Sequence, residues 1–363
     1  MENINVHGAP SEYILREGIL SQLENKLLAR GLNKVLIIHG QKSWEAAKPF
    51  WPSFSRIDFI EHTHTGECSQ KNINKLAQQV QDNSFDAVIG VGGGKILDLV
   101  KAISNFTRKP SILVPTLASN CSAWTPISVI YDDSGSFDRY DIYPTSTSLV
   151  LIEPLILLDA PINLLIAGIG DTLAKWYEAD VQMEVIKNKS VPLTISHYTA
   201  RLCRDNLLHH SESALLAVKD KQLNDDFVRV IETIIMLGGM VGGFGDKYGR
   251  IAAAHSIHNG LTVLEETHNA LHGEKVAYGI IVQLALEDKW NEISLLLAFY
   301  ENIGLPSSIK ELGVKMIDDK TIESISIKTT DINESIHVMP VGEITVERVK
   351  NAICTVEKFV LDY

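Results

Sequence analysis

The sequence predicts an α/β domain built on a parallel β-sheet, followed by an all-helical domain, with the change near residue 160. Three observations carry this prediction. Short apolar runs bounded by glycine or proline alternate with helical periodicity as far as Pro154. From Asn163 onward long helical patterns follow one another with hardly a strand candidate. The chain has 363 residues, 45% hydrophobic and 21% charged, enough to fill two cores.

In chain order, KVLIIHG (34–40), DAVIGVGGG (86–94), PSILVPT (110–116) and SLVLIEP (148–154) read as fully buried strands. Parallel strands covered on both faces show no polar alternation, which is the pattern here. Ser69 is placed to cap a helix through NINKLAQQVQ, and KILDLVKAISNF carries apolar residues at helical spacing. YDDSGSFDRYDIY, around Gly135, reads as a hairpin inserted before the last strand. Alternation of this kind implies a twisted parallel sheet with helices on both sides. The expected domains are therefore 1–160 and 161–363. The second contains LLIAGIGDTLAKWYEADVQ, LTISHYTARLCRDNLLHHSESALLAVKD, LNDDFVRVIETIIMLGGMVGGF, a histidine-rich segment and a helical tail.

Acidic residues outnumber basic ones by 45 to 33, a net charge of −12. That balance argues against a nucleic-acid or anionic-membrane partner. The start MENINVHGAPSEY has no basic segment followed by an apolar run, so no signal peptide is expected. No uninterrupted apolar run nears the ~18 residues of a membrane span. Cys68, Cys121, Cys203 and Cys354 are scattered without a CxxC pair and read as reduced thiols. A cytoplasmic protein handling small molecules is the expectation.

Gly90-Val-Gly92-Gly93-Gly94-Lys95 follows a predicted strand and opens a predicted helix. Successive glycines let backbone N–H groups approach a pyrophosphate, the helix N-terminus favours its charge, and Lys95 adds a cation. The segment is neither GxGxxG nor a Walker loop, and a ligand-free tight turn is the competing reading. Thr116 and Ser119 follow the next strand, and ligands of open parallel sheets collect at such carboxyl ends.

Residues 252–275 read AAAHSIHNGLTVLEETHNALHGEK and hold four of the twelve histidines. His255 and His258, three apart, share one helical face. His272 precedes Gly273, where a helix could end or backbone approach a ligand closely. Imidazoles in this arrangement suit a transition metal, with satisfied structural histidines as the alternative. His268 has no such context. A carboxylate would complete a three-ligand site with one open position, and Asp171 in GIGD is the best candidate, unless it only caps a helix.

These segments together resemble the iron-containing alcohol dehydrogenase superfamily, specifically its glycerol dehydrogenase branch. The likeness rests on GVGGGKILDLVKA, on PTLAS followed by ISVIYDDSGSF, on GIGDTLAKWYEA, and on AAAHSIHNGLT with LHGEKVAYG. It implies a Rossmann-like dinucleotide-binding domain followed by an all-helical domain, the architecture of glycerol dehydrogenase and dehydroquinate synthase. It also implies that Asp171, His255 and His272 hold one divalent metal, zinc ahead of iron, and that His258 relays protons near a nicotinamide. By the same resemblance Gly92, Gly93, Gly94, Lys95 and Asp98 would bind the cofactor with Thr116 and Ser119. Thr125, Ile127 and Tyr131 would line the cofactor and substrate pocket.

Three positions depart from that branch. Cys121 stands where glycerol dehydrogenases carry a polyol-binding aspartate, and bulky Trp124 follows. A thiol is a poor acceptor for polyol hydroxyls. Lys175, one turn after Asp171, stands where distant members carry a fourth metal-binding histidine; it would bind a substrate carboxylate or weaken the metal, with a snorkelling surface lysine as the competing reading. His39-Gly40-Gln41-Lys42 ends the first predicted strand without the acidic residue of NAD-specific relatives, which favours NADP(H). The expected function is an NAD(P)-dependent oxidoreductase interconverting a small secondary alcohol and its ketone, leaning toward a 2-hydroxy acid and 2-oxo acid pair. An NAD- and zinc-dependent glycerol dehydrogenase is the alternative. A lyase of the dehydroquinate synthase type is more remote, because the basic cluster for a substrate phosphate is missing. A homo-oligomer is expected.

Overall fold

The computed structural model describes residues 4–133 and 135–363. The chain forms two compact units. One comprises His7–Pro161 with Ala217–Gly239; the other comprises an N-terminal stretch ending at Val6, Ile162–Leu216 and Met240–Tyr363. The helical segment 217–239 belongs with the sheet-bearing unit, where Phe227, Val230 and Ile231 are buried. There Lys221 Nζ donates to the Leu158 carbonyl at 3.1 Å.

The sheet-bearing unit contains β1 (Tyr13–Leu15), β2 (Lys34–His39), β3 (Asp58–Thr63), β4 (Ala87–Gly92), β5 (Ser111–Pro115), β6 (Ile127–Tyr131), β7 (Phe137–Ile142) and β8 (Leu149–Ile152). Six of them form one sheet in the order β1-β8-β5-β4-β2-β3, and every pairing in it is parallel. The four expected strands are its buried centre. The two additional strands are its edges: β1 has three residues, and β3 is largely exposed, so neither shows as an apolar run.

Strand order fixes where a ligand can sit. From β2 the chain runs outward to edge strand β3, then returns to β4 on the other side of β2. The order reverses between β2 and β4, and that crevice is where open α/β sheets bind ligands. Both His39-Gly40 and the glycine turn after β4 lie at carboxyl ends flanking it.

β6 and β7 form the expected antiparallel hairpin, with an irregularity between Ile130 and Tyr131. Its turn includes residue 134, outside the described residues. The Tyr131 amide donates to the Cys68 carbonyl at 2.9 Å, tying the hairpin down just ahead of helix Gln70–Asp82. That helix is capped by Ser69 Oγ, which accepts from the Asn72 amide.

In the helical unit, helices Ile162–Met183, Ala253–Leu261 and His272–Leu286 meet through glycine notches. A Cβ on Gly170 would lie 2.5 Å from the Gly273 carbonyl oxygen, and one on Gly273 1.8 Å from that of Ala167. A Cβ on Gly279 would lie 2.3 Å from the Ala254 carbonyl oxygen. Only hydrogen fits at these three points. His272 begins a helix rather than ending one, and Gly273 serves close packing rather than a C-cap. Asp171 lies inside a helix of 22 residues and caps nothing.

Among the described residues, Asp225–Gly249 is long and apolar enough to cross a membrane by length and composition alone. Glycines and Glu232 interrupt it, which hides it as an apolar run, and 56% of its most apolar window is buried in the protein, as in a core helix.

Candidate functional site

Helices Ile162–Met183, Ala253–Leu261 and His272–Leu286 bring Asp171, His255 and His272 together, with their donor atoms within 4.8 Å of one another. His272 Nε2 stands 3.2 Å and His255 Nε2 3.5 Å from Asp171 Oδ1. Ligands about 2.0–2.1 Å from a tetrahedral zinc lie roughly 3.3–3.4 Å apart, and the two spacings to Asp171 Oδ1 are close to that. Asp171 is buried and His255 mostly so, whereas the His272 side chain is 52% exposed. The triad is thus closed on the carboxylate side and open at His272, as a site with a free ligand position must be.

The charges around it are strongly coupled. Burial opposes ionisation of Asp171. Lys175, with hydrogen bonds from His255 and His272, nevertheless holds its carboxyl well below the usual range. Burial also opposes protonation of His255, yet Glu178 and the hydrogen bonds to Asp171 and Glu178 hold its value up at about 9. Lys175, half-buried one turn after Asp171, acts electrostatically on Asp171, Glu178 and His255 alike. Glu178, two turns beyond Asp171, is missed by sequence reasoning. Its Oε1 accepts from the amides of Ala252 and His255 at 2.7 and 3.0 Å, and its Oε2 lies 2.7 Å from His255 Nδ1.

His258 joins the cluster through His272, Nε2 to Nδ1 at 3.0 Å. Its own Nδ1 lies 3.0 Å from Asn259 Oδ1, and Asn259 Nδ2 donates to both carboxylate oxygens of Glu334 at 3.0 Å. The amide can only accept at Oδ1, so His258 carries its proton on Nδ1 and accepts at Nε2. Burial and the neighbouring histidines push its value well down, so the ring is neutral. His268 stays out of the cluster, with Nε2 on the Thr262 carbonyl at 3.1 Å.

In the sheet-bearing unit, Gly92 ends β4, and Gly93 precedes helix Gly94–Thr107 in extended conformation without a side-chain cap. The first amides of that helix therefore need another acceptor. Lys95 is exposed and paired with Glu67, 2.6 Å away. Thr116 is buried, its amide on the Gly92 carbonyl at 3.1 Å, and Ser119 is half-buried. Asp98 is turned inward. Its carboxylate takes the Ser122 hydroxyl at 2.5 Å, the Val129 amide at 3.0 Å and the Lys101 ammonium at 2.9 Å.

Lys101, also missed, is buried and donates to the carbonyls of Ser122, Thr125 and Ile127. This pair pins down the segment bearing Cys121, Trp124 and Thr125; its signal is the i,i+3 spacing of opposite charges on an otherwise apolar helix face. Cys121, Thr125, Ile127 and Tyr131 are half-buried along that segment. Trp124 faces inward instead, with Nε1 donating to the Gly8 carbonyl at 3.0 Å and its ring edge-on to Tyr13 at 5.4 Å.

At the end of β2, His39 is buried and stacked on Trp44 at 4.5 Å, and burial lowers its value. Gly40 precedes helix Gln41–Ala47, with its amide on Ser43 Oγ at 3.0 Å. Gln41 and Lys42 are exposed, and Gln41 donates to Glu45 at 2.6 Å. The segment has no carboxylate in sequence, but one stands near in space: Glu61 of β3, its Oε2 4.0 Å from His39 Nε2.

Comparison with known proteins gives a consistent family. Residues 10–154 match the model of the iron-containing alcohol dehydrogenases. The chain is 40% identical over 359 residues to hydroxycarboxylate dehydrogenase A of Escherichia coli K12, covering 98% of each. It is 36% identical over 340 residues to glycerol dehydrogenase of Thermotoga maritima, covering 91% of each. Among solved structures, a probable glycerol dehydrogenase from Sinorhizobium meliloti superposes with a TM-score of 0.86 at 28% identity, over 99% of this chain and all of that one.

Proposed function

The chain belongs to the iron-containing alcohol dehydrogenase family and is an oxidoreductase of that type; from this premise we propose that it reduces a small 2-oxo acid to the 2-hydroxy acid, and the reverse, with a nicotinamide cofactor. The observation that carries the choice of substrate is Lys175, half-buried one turn after Asp171, whose charge acts on Asp171, Glu178 and His255. An ammonium beside the ligand cluster suits a substrate carboxylate, and it has no counterpart to bind in glycerol. Cys121 agrees, since a thiol replaces the acceptor a polyol would use. Hydroxycarboxylate dehydrogenase A, at 40% identity, points the same way.

In this reading Asp171, His255 and His272 hold one divalent ion, zinc ahead of iron, which supplies Lewis-acid polarisation of the reacting oxygen. Lys175 orients the carboxylate. A reduced nicotinamide, when bound, would supply the hydride for the carbonyl carbon, and the oxygen would gain a proton. We assign the relay of that proton to His258, which would pass it by way of the Nε2 contact to His272 Nδ1. The Gly92–Gly94 turn and the uncapped helix after it take the pyrophosphate, with Thr116 and Ser119 beside them. Asp98 contributes by fixing the neighbouring loop. Lys42 and the lack of a carboxylate in residues 39–43 favour NADPH over NADH, and Glu61 narrows that margin.

The runner-up is a glycerol dehydrogenase, which the Thermotoga maritima relative favours. Lys175→Thr separates the two. Loss of a charged partner costs about 1.5–3 kcal/mol, so the KM for 2-oxobutyrate should rise roughly tenfold or more, with that for dihydroxyacetone little changed. An unchanged KM for the oxo acid would remove the carboxylate role. We also propose self-association, through an exposed stripe of Val191, Tyr198, Leu202 and Leu216 on helix Val191–Asp220. Sedimentation at the 40.2 kDa of a single chain would exclude it.

A further inference from the structure

We propose that Glu178 is the residue that makes His255 a metal ligand, by fixing which ring nitrogen is free to bind; this rests on the metal reading above. The buried carboxylate is locked in place before it meets the imidazole. Its Oε1 accepts two backbone amides, Ala252 at 2.7 Å and His255 at 3.0 Å, at the start of helix Ala253–Leu261. Its Oε2 is thereby aimed at His255 Nδ1, 2.7 Å away. A carboxylate can only accept from that nitrogen, so Nδ1 keeps its proton, and Nε2, which faces Asp171, is the nitrogen that gives up its proton when an ion binds. A carboxylate behind a ligating imidazole also raises its basicity.

The other histidine ligand is oriented differently. His272 Nδ1 faces the neutral His258, so only His255 has an anion behind it. No other residue described here sets the His255 tautomer. Asp171, its second carboxylate neighbour, sits on the Nε2 side, where the metal would bind. Glu178 is therefore a positioning residue, acting on the metal through His255.

Glu178→Gln makes a sharp test because the side chain keeps its shape. The two amides require the Gln oxygen in the Oε1 position, which places its NH2 against His255 Nδ1. That donor forces Nδ1 to accept and moves the ring proton to Nε2, where it blocks the metal. The measurement is zinc affinity by competition with a chromogenic chelator, with thermal melting of the metal-free proteins alongside. The expected result is zinc binding weakened 10–100-fold, with metal-free melting lowered by loss of the buried pair with His255 but still cooperative, and with Glu178→Asp binding more tightly than the Gln variant. Wild-type zinc affinity in the Gln variant would overturn the inference and leave the metal reading standing. A wild-type protein that binds no divalent metal would overturn both. If the variant does not fold, long-range 1H–15N spectra of zinc-loaded wild type decide: a proton on His255 Nδ1 supports the assignment, and a metal-bound Nδ1 overturns it.

Discussion

A Cβ on Gly273 would lie 1.8 Å from the carbonyl oxygen of Ala167, so helices Ile162–Met183 and His272–Leu286 touch backbone to backbone beside the candidate metal ligands. This contact is why Asp171 Oδ1 and His272 Nε2, on neighbouring positions of the two helices, come within 3.2 Å. Gly273→Ala must push the helices apart. The expected outcome is a loss of zinc affinity of tenfold or more, together with a lowered melting temperature, read by chelator competition and calorimetry. Unchanged zinc affinity would show that the helix contact does not set the ligand geometry.

Lys175 places a cation beside a cluster that is to bind a divalent cation. Two like charges near a protein surface repel by a few kcal/mol. Lys175→Thr is therefore expected to strengthen zinc binding by roughly tenfold or more, about 1.4 kcal/mol or above. Elemental analysis after dialysis against dilute chelator should show higher retained zinc in the variant. Equal retention in both would mean that the ammonium lies clear of the ion.

Buried Lys101 and Asp98 hold the 121–129 segment from below. Removing one partner of a buried ion pair strands the other and costs about 3–5 kcal/mol. Lys101→Met should lose stability of that order in denaturant unfolding, whereas the double change Lys101→Met with Asp98→Leu should recover part of it. A single variant as stable as wild type would contradict the clasp.

Glu12, just before β1, pairs with Lys26 and Arg30. Hydrogen bonds from Lys26 and then Arg30 lower its value below the ordinary 4.5. The folded state therefore binds fewer protons at this group than the unfolded state. Its contribution is present above pH 4.5 and lost as pH falls through the lowered folded value. Glu12→Gln should remove that part of the acid dependence: the stability gap to wild type, clear at pH 6, should shrink toward pH 3. A gap constant with pH would show that the pair is not coupled to protonation.

What could be read from the sequence was whatever is local along the chain. Gly92–Gly94 after an apolar strand, and His255 and His258 on one helical face, announce themselves by spacing. Asp171 rested on the resemblance and lies within the cluster. The missing parts depend on partners far away. Glu178 meets His255 across 77 positions, Lys101 reaches Ile127 across 26, and Glu61 approaches His39 from a neighbouring strand. β3 was invisible because an exposed edge strand needs no apolar run. His272 looked like a helix end because Gly273 suits a C-cap, but that glycine is needed for close packing. Trp124 follows Cys121 in the segment expected to meet the substrate, yet its ring is packed against Tyr13.

The central claim is the substrate class, and steady-state kinetics of purified protein in the reductive direction test it most directly. With NADPH and added zinc, kcat/KM for 2-oxobutyrate should exceed that for dihydroxyacetone, and NADH should be the poorer donor. Ready reduction of dihydroxyacetone with no turnover of 2-oxobutyrate would contradict the account.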